Sequence, residues 1–291
     1  MTEHPEHPSS KLIDGGGAQK ADAHAAESNT RCGGRLSGRL FYFWSLLVAG
    51  LLLLVFGIPV IIIALITQRS HWVYPIAAWG ARMWLRLSGM KVKVMGRENL
   101  KSNRAYVLIA NHRSYLDPSA LLISLDRRLG FIAKRELLRV PVLGQAMGYV
   151  NVVAIDRSNS ARAIETLRAA TERIHSGVSF VVFAEGTRAR ADELLPFKKG
   201  GFYMAMEAGV AVAPVAIKNT DKLMGKGTNE ARPGTIEIVI LPPIETRELS
   251  GDEDLKLLIA KVRESIAAEL LPDGKADVDK ERAGQAPLPN L

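Results

Sequence analysis

One histidine and one aspartate in this sequence are spaced so that they could act together as a base and the group that orients it. The stretch Asn111-His112-Arg113-Ser114-Tyr115-Leu116-Asp117 follows the apolar run 105–110 and precedes Pro118. On one continuous helix, residues five apart point about 140° away from each other, so His112 and Asp117 converge only if the chain turns between a strand end and a helix start. An imidazole held by a carboxylate can accept a proton from an attacking hydroxyl group.

The same spacing also fits a purely structural role. Asp is a favoured N-cap residue and Pro is favoured at the first helical position, so Asp117 could cap a helix while His112 lies in a loop. The other histidines favour the chemical interpretation, because only His112 follows a predicted strand end with a carboxylate nearby. The others lie in a polar N-terminal stretch, beside an apolar segment or near a helix C-terminus: His4, His7, His24, His71 and His175.

The composition indicates an anionic partner. The 291 residues carry a net charge of +8. Residues 1–30 hold a net −3 and residues 272–291 a net −1, so residues 31–271 hold a net +12. An excess of this size suits nucleic acid, phosphorylated ligands or a membrane surface. Aromatic residues are only 6% of the chain and do not interleave with basic ones, so we expect no nucleic acid partner.

A long apolar segment precedes the charged part of the chain. No charged residue occurs from Leu40 to Ile66, a segment longer than the roughly 20 apolar residues that cross a bilayer. Pro59 leaves two arrangements open, a kinked spanning helix or a re-entrant hairpin, and positive residues flank the segment on both sides. Residues 72–88 combine Trp and Tyr with Arg, which is typical of an interfacial helix. We therefore expect a membrane protein.

From Lys91 onward the pattern predicts a globular α/β domain. Short apolar runs are separated by helical segments in several places, which predicts a largely parallel or mixed sheet of about seven strands flanked by helices. The runs are 92–95, 105–110, 129–133, 150–155, 179–183, 212–217 and 236–241. The expected organisation is a disordered tail at 1–34, a membrane anchor and interfacial helix at 35–90, the α/β domain at 91–271 and a second tail at 272–291.

Three helices between or after these strands have recognisable patterns. A helix at 160–175 places Ile164, Leu167 and Ile174 on one face, and a short helix is expected at 200–208. The last helix opens with a capping box from Ser250 to Glu253. Its buried side is predicted to comprise Leu255, Leu258, Val262 and Ile266.

Polar and cationic residues follow several predicted strands. Glu185, Gly186, Thr187 and Arg188 come directly after the run 178–183. Glycine permits close backbone approach to a ligand, threonine offers a hydroxyl and arginine presents a planar fork suited to phosphate, although an ordinary turn with a surface Glu–Arg pair fits the same letters.

Cations follow two more strands, because Lys134 comes after the run 129–133 and Arg157 after the run 150–155. If these strand ends share one edge of the sheet with His112, they form a cationic pocket around a single base.

Other chemistries find little support. There is no G-x-S-x-G serine-hydrolase motif and no zinc-ligand spacing. The segment Gly225-Lys226-Gly227-Thr228 lacks the upstream glycine of a phosphate-binding loop. Ser114, beside Arg113 in a turn, is expected to hydrogen-bond locally rather than to act as a nucleophile. We expect neither a metal site nor a cofactor.

Four ordered blocks resemble the glycerophospholipid acyltransferases, and particularly the 1-acyl-glycerol-3-phosphate acyltransferase family. The stretch 111–117 resembles the first signature block. Residues 151–157 resemble the second, with Asn151 and Ala154 where the family usually has Gly and Phe. Residues 183–188 resemble the third, with Ala184 in place of the usual Pro, and residues 210–215 around Pro214 resemble the fourth.

The resemblance implies a direct acyl transfer at a membrane. His112 would take the proton from the free glycerol hydroxyl, with Asp117 orienting the ring, and the oxygen would attack the thioester of acyl-CoA or acyl-carrier protein. Arg188, with Gly186 and Thr187, would hold the acceptor phosphate beside Glu185. Lys134 and Arg157 are weaker candidates for the same anion, and Pro214 would line the acyl or acceptor site. Membrane lipids and a lysophospholipid acceptor are the implied partners, with the catalytic domain on the cytoplasmic face.

Two alternatives remain open at this point. The same chemistry could act on another lysolipid, such as a lyso-aminolipid or a lysophosphoglycerol lipid, which would change the demand for Arg188 but not for His112 and Asp117. A non-catalytic membrane protein that binds anionic lipid through its basic face is a competitor from another class, and it needs cations but no His/Asp pair.

Overall fold

The structure is a computed structural model that describes residues 36–67, 72–140, 143–155, 160–191 and 193–270. The side chains of residue 143 and of residues 160–164 are also outside the description. The two tails predicted at 1–34 and 272–291 therefore lie outside the described residues.

Within the described residues, seven strands form a single mixed sheet, and β1 to β7 in chain order are Met90–Met95, Val107–Ala110, Leu129–Lys134, Val152–Ile155, Ser179–Phe183, Val212–Lys218 and Gly234–Ile240. All of them coincide with apolar runs of the sequence, which confirms the predicted α/β sheet. The strands β2 to β6 run parallel to one another, whereas β7 is antiparallel to β6 and β1 is parallel to β7. In the sheet the strands lie in the order β1-β7-β6-β2-β5-β3-β4.

Helices cover both faces of this sheet, because the central strands are apolar on both sides. In the described residues the helices α1 to α8 are Leu36–Thr67, Val73–Leu87, Leu116–Ser124, Leu143–Tyr149, Ser160–His175, Gly200–Ala208, Thr220–Met224 and Gly251–Leu270, in chain order. One face packs its core against α2, α3 and α7. The other packs against α5, α6 and α8.

The buried faces of the helices agree with the predicted ones where the structure describes them. Leu255, Leu258, Val262 and Ile266 of α8 are all buried. In α5, Ile174 is buried and Leu167 is half-buried against the same core. The side chain of Ile164 lies outside the described residues. The predicted short helix at 200–208 is α6.

The capping box predicted for α8 is wrong, because the acidic residue that pairs with Ser250 is Asp254 and not Glu253. The Ser250 N–H donates to Asp254 Oδ2 at 2.8 Å, and Glu253 instead accepts from Lys256 Nζ at 2.7 Å. Gly251 has φ of 77°, a left-handed conformation that moves the entry into the helix by one residue. The acidic side chain that faces back toward Ser250 is therefore the next one along the chain.

Helix α1 is continuous through Pro59. Residues Leu53–Gly57 form a π-helical turn, and the α-helix resumes at Ile58. A proline has no N–H and its ring crowds the preceding turn, so a locally widened turn lets the helix pass. No re-entrant hairpin occurs within residues 36–67. The helix has 32 residues, or about 48 Å, and is long and apolar enough to cross a membrane.

Helix α2 packs antiparallel against α1 and ties it to the α/β domain. The indole N–H of Trp84 donates to the Ser45 carbonyl at 3.0 Å, and the indole N–H of Trp44 donates to the Leu87 carbonyl at 3.1 Å. Farther along α1, the rings of Phe56 and Trp79 meet edge to face with centroids 4.9 Å apart. The segment predicted as an interfacial helix is thus one arm of a helical hairpin that is fastened to the domain.

Candidate active site

The sheet brings the predicted strand ends to one edge. Strands β2, β3, β4 and β5 are mutually parallel, so their carboxyl ends, at Ala110, Lys134, Ile155 and Phe183, lie along one edge of the sheet. In register, Ala110 pairs with Phe183, which sets the loop containing His112 beside the loop that begins at Ala184. The condition for a shared pocket at this edge is therefore met.

His112 and Asp117 converge at this edge. Strand β2 ends at Ala110, the chain turns, and α3 begins at Leu116, as the spacing required. His112 Nδ1 lies 2.7 Å from Asp117 Oδ2, and the Asp117 side chain is fully buried. A carboxylate only accepts hydrogen bonds, so Nδ1 carries the proton and Nε2 keeps the lone pair. The His112 side chain is 18% exposed, which leaves the ring within reach of solutes.

Asp117 does not cap its helix. Its Oδ2 atom also accepts from the backbone N–H groups of Arg113, at 2.7 Å, and Ser114, at 2.8 Å, which precede α3. Asp117 lies within the first turn of the helix and Pro118 follows it there, so the capping interpretation is wrong. The carboxylate instead fixes the loop that carries the histidine.

The position of His112 is fixed from the neighbouring loop as well. Its N–H donates to Glu185 Oε1 at 2.8 Å, and its carbonyl accepts from the Ala189 N–H at 2.8 Å. The imidazole stacks on the Phe183 ring, with centroids 4.1 Å apart and planes 22° from parallel. Ring, backbone and Nδ1 are thus all held, and Nε2 is the atom left for chemistry.

Glu185 is buried inside the protein. Its second oxygen, Oε2, accepts from the Leu195 N–H at 2.9 Å, and the residue is buried. Burial raises the pKa of the Glu185 carboxyl above its ordinary value, against the opposing effect of the two backbone donors at His112 and Leu195. This carboxylate joins two loops and supports the backbone of His112. We predicted it as a substrate contact, and the structure uses both of its oxygens within the protein.

The remaining residues of the first block anchor the loop. The Asn111 amide donates to the Ile217 carbonyl at 2.9 Å and accepts from its N–H at 2.7 Å, which extends β6 beside β2. The buried Ser114 hydroxyl accepts from the Leu116 N–H at 3.2 Å, the local hydrogen bond that we predicted, and it also donates to the distant Met224 carbonyl at 2.6 Å. No local pattern predicts these long-range partners, Ile217 and Met224.

A buried ion pair supports the same loop. Arg113 Nη1 lies 3.7 Å from Asp221 Oδ2, and both side chains are less than a tenth exposed. Arg113 also donates to the Glu193 carbonyl at 3.2 Å. The residue next to His112 is therefore fixed by α7 and by the loop after β5, two elements far away in the sequence.

Arg188 lies on the open side of the site. Its guanidinium carbon is 3.7 Å from the centroid of the Tyr115 ring, a close cation–π contact. Its carbonyl accepts from Lys226 Nζ at 2.6 Å, and the following residue, Ala189, is the one bonded to His112. Tyr115 is 57% exposed, so the stacked pair faces solvent. Neither Tyr115 nor Lys226 was a predicted site residue.

The other predicted residues are placed as follows. Gly186, with φ of 71°, ends the turn after β5, where its N–H donates to the Phe183 carbonyl, and Thr187 beside it is exposed. Lys134 ends β3 and pairs with Glu136 at 3.0 Å on the surface. Pro214 is buried within β6, opposite Ile109 of β2. Arg157 lies outside the described residues.

One departure from the family pattern has a conformational explanation. Asn151, where the resemblance places a glycine, has φ of 57°. Asparagine tolerates this left-handed conformation better than other residues with a Cβ. Asn151 therefore has a backbone conformation that a glycine at this position would also adopt.

Comparison with known proteins defines the class first. A family model described as "Acyltransferase" matches residues 91–218, which include His112, Asp117 and Arg188. The chain has the fold of the crystal structure of the 1-acyl-sn-glycerophosphate (LPA) acyltransferase PlsC from Thermotoga maritima. The TM-score is 0.68 at 26% sequence identity, and the match covers 83% of this chain and 99% of that one.

Curated relatives then define the family. The chain is 32% identical over 197 residues to the human 1-acyl-sn-glycerol-3-phosphate acyltransferase alpha, covering 66% of this chain and 69% of that protein. It is 34% identical over 175 residues to the 1-acyl-sn-glycerol-3-phosphate acyltransferase of Limnanthes douglasii, covering 60% of this chain and 61% of that protein. The chain thus spans about three fifths of the plant relative's length. It belongs to the 1-acyl-sn-glycerol-3-phosphate acyltransferase family.

Proposed function

We propose that this protein transfers an acyl chain from acyl-CoA or acyl-carrier protein to the free hydroxyl of 1-acyl-glycerol-3-phosphate, giving phosphatidic acid. The observation that carries the proposal is the 2.7 Å contact between His112 Nδ1 and the buried Asp117 carboxylate, which leaves Nε2 as a base. The names of the relatives supply the substrate class, since the human and plant proteins are called 1-acyl-sn-glycerol-3-phosphate acyltransferases.

The chemistry needs no covalent enzyme intermediate. His112 Nε2 takes the proton of the acceptor hydroxyl as its oxygen forms a bond to the thioester carbonyl carbon. The carbon–sulfur bond then breaks, and the imidazolium returns the proton to the departing thiolate. Asp117 stabilises the imidazolium and keeps the ring in one tautomer. The engaged Ser114 hydroxyl supports direct transfer, because it is not available as a nucleophile.

Arg188 is the residue we assign to the acceptor phosphate. A guanidinium fork matches phosphate oxygens in geometry and charge, and stacking on Tyr115 restricts it to one side of the site. The hydrogen bond from Ala189 to His112 fixes the spacing between the phosphate site and the base. Lys134 and Arg157 remain secondary candidates for the same anion, and Pro214 for the lining behind the sheet edge.

A membrane location suits this substrate. A lysophospholipid partitions into the bilayer, so the site must work at that surface. Exposed apolar side chains run along the whole of α1, among them Leu40, Phe43, Leu47, Leu54 and Ile63. We assign α1 and α2 to the membrane and place the α/β domain on the cytoplasmic face.

The direct test offers labelled acyl-CoA and acyl-carrier protein to the detergent-purified full chain, with lysophosphatidic acid and a panel of other lysolipids as acceptors. We expect turnover on lysophosphatidic acid above the others. Turnover only on a lyso-aminolipid or a lysophosphoglycerol lipid would keep the mechanism and replace the acceptor. A folded protein without turnover on any pair would contradict the proposal and favour a lipid-binding role.

A further inference from the structure

A groove separate from the catalytic edge runs between α2, strand β1 and the far end of α3. Its volume is about 350 Å³. Helix α3 begins at the catalytic loop and ends at Ser124, so the groove lies at the other end of that helix. Strand β1 lies at an edge of the sheet and, among the strands that the structure describes, pairs with β7. The groove is lined by Arg82, Leu85, Arg86, Met90, Lys91, Val92, Val94, Arg97, Ile123 and Ser124.

The lining is strongly cationic. Arg82, Arg86, Lys91 and Arg97 are exposed, and no carboxylate is among the lining residues. Within the described part of the chain, only Arg97 of these four has an ion pair, with Asp126 at 3.2 Å, and that pair is well exposed. Exposed pairs contribute little, so the groove holds several positive charges that the protein leaves largely uncompensated.

Beneath these charges the groove is apolar. Leu85 and Met90 are buried, and Val92, Val94 and Ile123 are only half-buried. Arg82 and Arg86 lie one helical turn apart on α2, on the same side of the helix, so both can reach one anion. A free phosphate ion would bind the cationic side chains but would make no contact with the apolar residues beneath them. A ligand that uses both features carries a phosphate next to a hydrocarbon chain.

We propose that this groove binds an anionic glycerophospholipid of the surrounding membrane, as a site distinct from the catalytic one. The arginine forks hold the headgroup phosphate, and the first part of one acyl chain lies over Val92 and Val94. The groove borders the helical hairpin of α1 and α2, whose exposed apolar side chains we assign to the membrane. Membrane lipids are therefore next to the groove. A bound lipid joins α2 to β1 and orients the domain on an anionic membrane surface.

The test is a native mass spectrometry titration of the full chain in neutral detergent, with phosphatidylglycerol, phosphatidylcholine and inorganic phosphate as separate ligands. We expect saturable binding of phosphatidylglycerol in preference to the other two. The double variant Arg82→Ala with Arg86→Ala should bind phosphatidylglycerol roughly 30-fold more weakly, since each cation near a lipid surface contributes about fivefold. The double variant Lys256→Ala with Lys261→Ala removes the same charge from α8, on the other face of the sheet, and should bind normally.

A charge-preserving variant separates a built groove from diffuse attraction. Arg82→Lys with Arg86→Lys keeps the charge but loses the planar forks, and we expect it to bind severalfold more weakly than the wild type. The proposal would be overturned if the Arg82→Ala, Arg86→Ala or the Arg82→Lys, Arg86→Lys variant bound phosphatidylglycerol as tightly as wild type. It would also be overturned if the α8 control lost as much affinity as the Arg82→Ala, Arg86→Ala variant. Equal affinity for phosphatidylcholine and phosphatidylglycerol would overturn it too. Tight binding of inorganic phosphate would refute the lipid assignment and leave only a site for a free anion.

This inference does not depend on the proposed function. Acyl transfer to lysophosphatidic acid in detergent, with no phosphatidylglycerol added, should be unchanged in the Arg82→Ala, Arg86→Ala variant, because neither residue contributes to the catalytic edge. If the wild type itself shows no transfer, the proposed function fails while the lipid titration still decides the groove. If transfer is normal and the titration is flat, only the groove is refuted.

Discussion

Exchanging Asp117 for asparagine tests the most demanding part of the site. The carboxylate is fully buried, and its Oδ2 atom accepts from His112 Nδ1 and from the N–H groups of Arg113 and Ser114, all within 2.8 Å. An asparagine oxygen can occupy the same place, so the loop should keep its shape. The charge is lost, and the amide NH₂ falls where the other oxygen, Oδ1, has no partner within the described residues.

The expected losses follow from these contacts. Hydrogen bonds to a charged group contribute about 1 kcal/mol more than neutral ones, and a buried NH₂ without an acceptor costs about 1–3 kcal/mol. Removing a buried charge offsets part of this, so we expect the free energy of unfolding to fall by about 2–4 kcal/mol. The turnover number should fall by about 10²–10⁴, because the imidazolium formed during transfer loses its counter-charge.

Asp221→Asn is the matched control. It removes a second nearly buried carboxylate, the partner of Arg113 at 3.7 Å, from the same loop system without touching His112. Urea unfolding and steady-state acyl transfer should be measured on both variants. We expect comparable destabilisation and a turnover number for Asp221→Asn within about tenfold of wild type. If Asp117→Asn keeps as much turnover as Asp221→Asn, the orienting role of Asp117 is refuted and the carboxylate is only structural.

Three further substitutions probe the surroundings of the base. Because burial raises the pKa of Glu185, its contribution to stability is full below its ordinary value of 4.5 and is lost as pH rises through the raised pKa. The free energy of unfolding of wild type relative to Glu185→Gln, measured by urea unfolding, should therefore decline as pH rises over that range, and a pH-independent difference would contradict this. The turnover number of Glu185→Gln should be about tenfold lower than that of wild type, because the His112 N–H loses an ideal acceptor. Tyr115→Leu should raise KM for the phosphate acceptor by about 2- to 30-fold with little change in kcat, since the stacking that positions Arg188 is worth about 0.5–2 kcal/mol, and Tyr115→Phe should restore it; a kcat effect alone would argue against the phosphate role. Asn151→Gly should raise the free energy of unfolding by about 0.5–1 kcal/mol without a change in activity, because glycine adopts the left-handed conformation freely; lower stability in a thermal melt would show that the Asn151 side chain has a role of its own.

The fold was largely predictable because each strand contains a short apolar run. Strands β2, β5 and β6 are buried on both faces, so they appear in the sequence as uninterrupted apolar runs. The spacing of His112 and Asp117 was informative for a similar local reason, since residues five apart can meet only if the chain turns between them. Local geometry decides both features.

Other parts of the site depend on contacts that no local pattern encodes. Arg113 meets Asp221, and Arg188 meets Lys226 through its carbonyl, only because the sheet topology places their loops together. The sequence around Glu185 is typical of a surface residue near an arginine. In the structure Glu185 is buried, because its carboxylate accepts hydrogen bonds from the backbone N–H groups of His112 and Leu195. The segment 225–228 does not have the sequence of a phosphate-binding loop. In the structure its Lys226 side chain donates to the Arg188 carbonyl and so helps to position Arg188.

The measurement that tests the account most directly is acyl transfer to lysophosphatidic acid by the His112→Ala variant. His175→Ala is its control, because His175 is an exposed histidine at the end of α5 whose contact is the Ala208 carbonyl, at 3.3 Å. We expect His112→Ala to fold normally and to lose about 10²–10⁴ in turnover, while His175→Ala keeps wild-type turnover. Wild-type turnover in folded His112→Ala would contradict the assignment of His112 as the base.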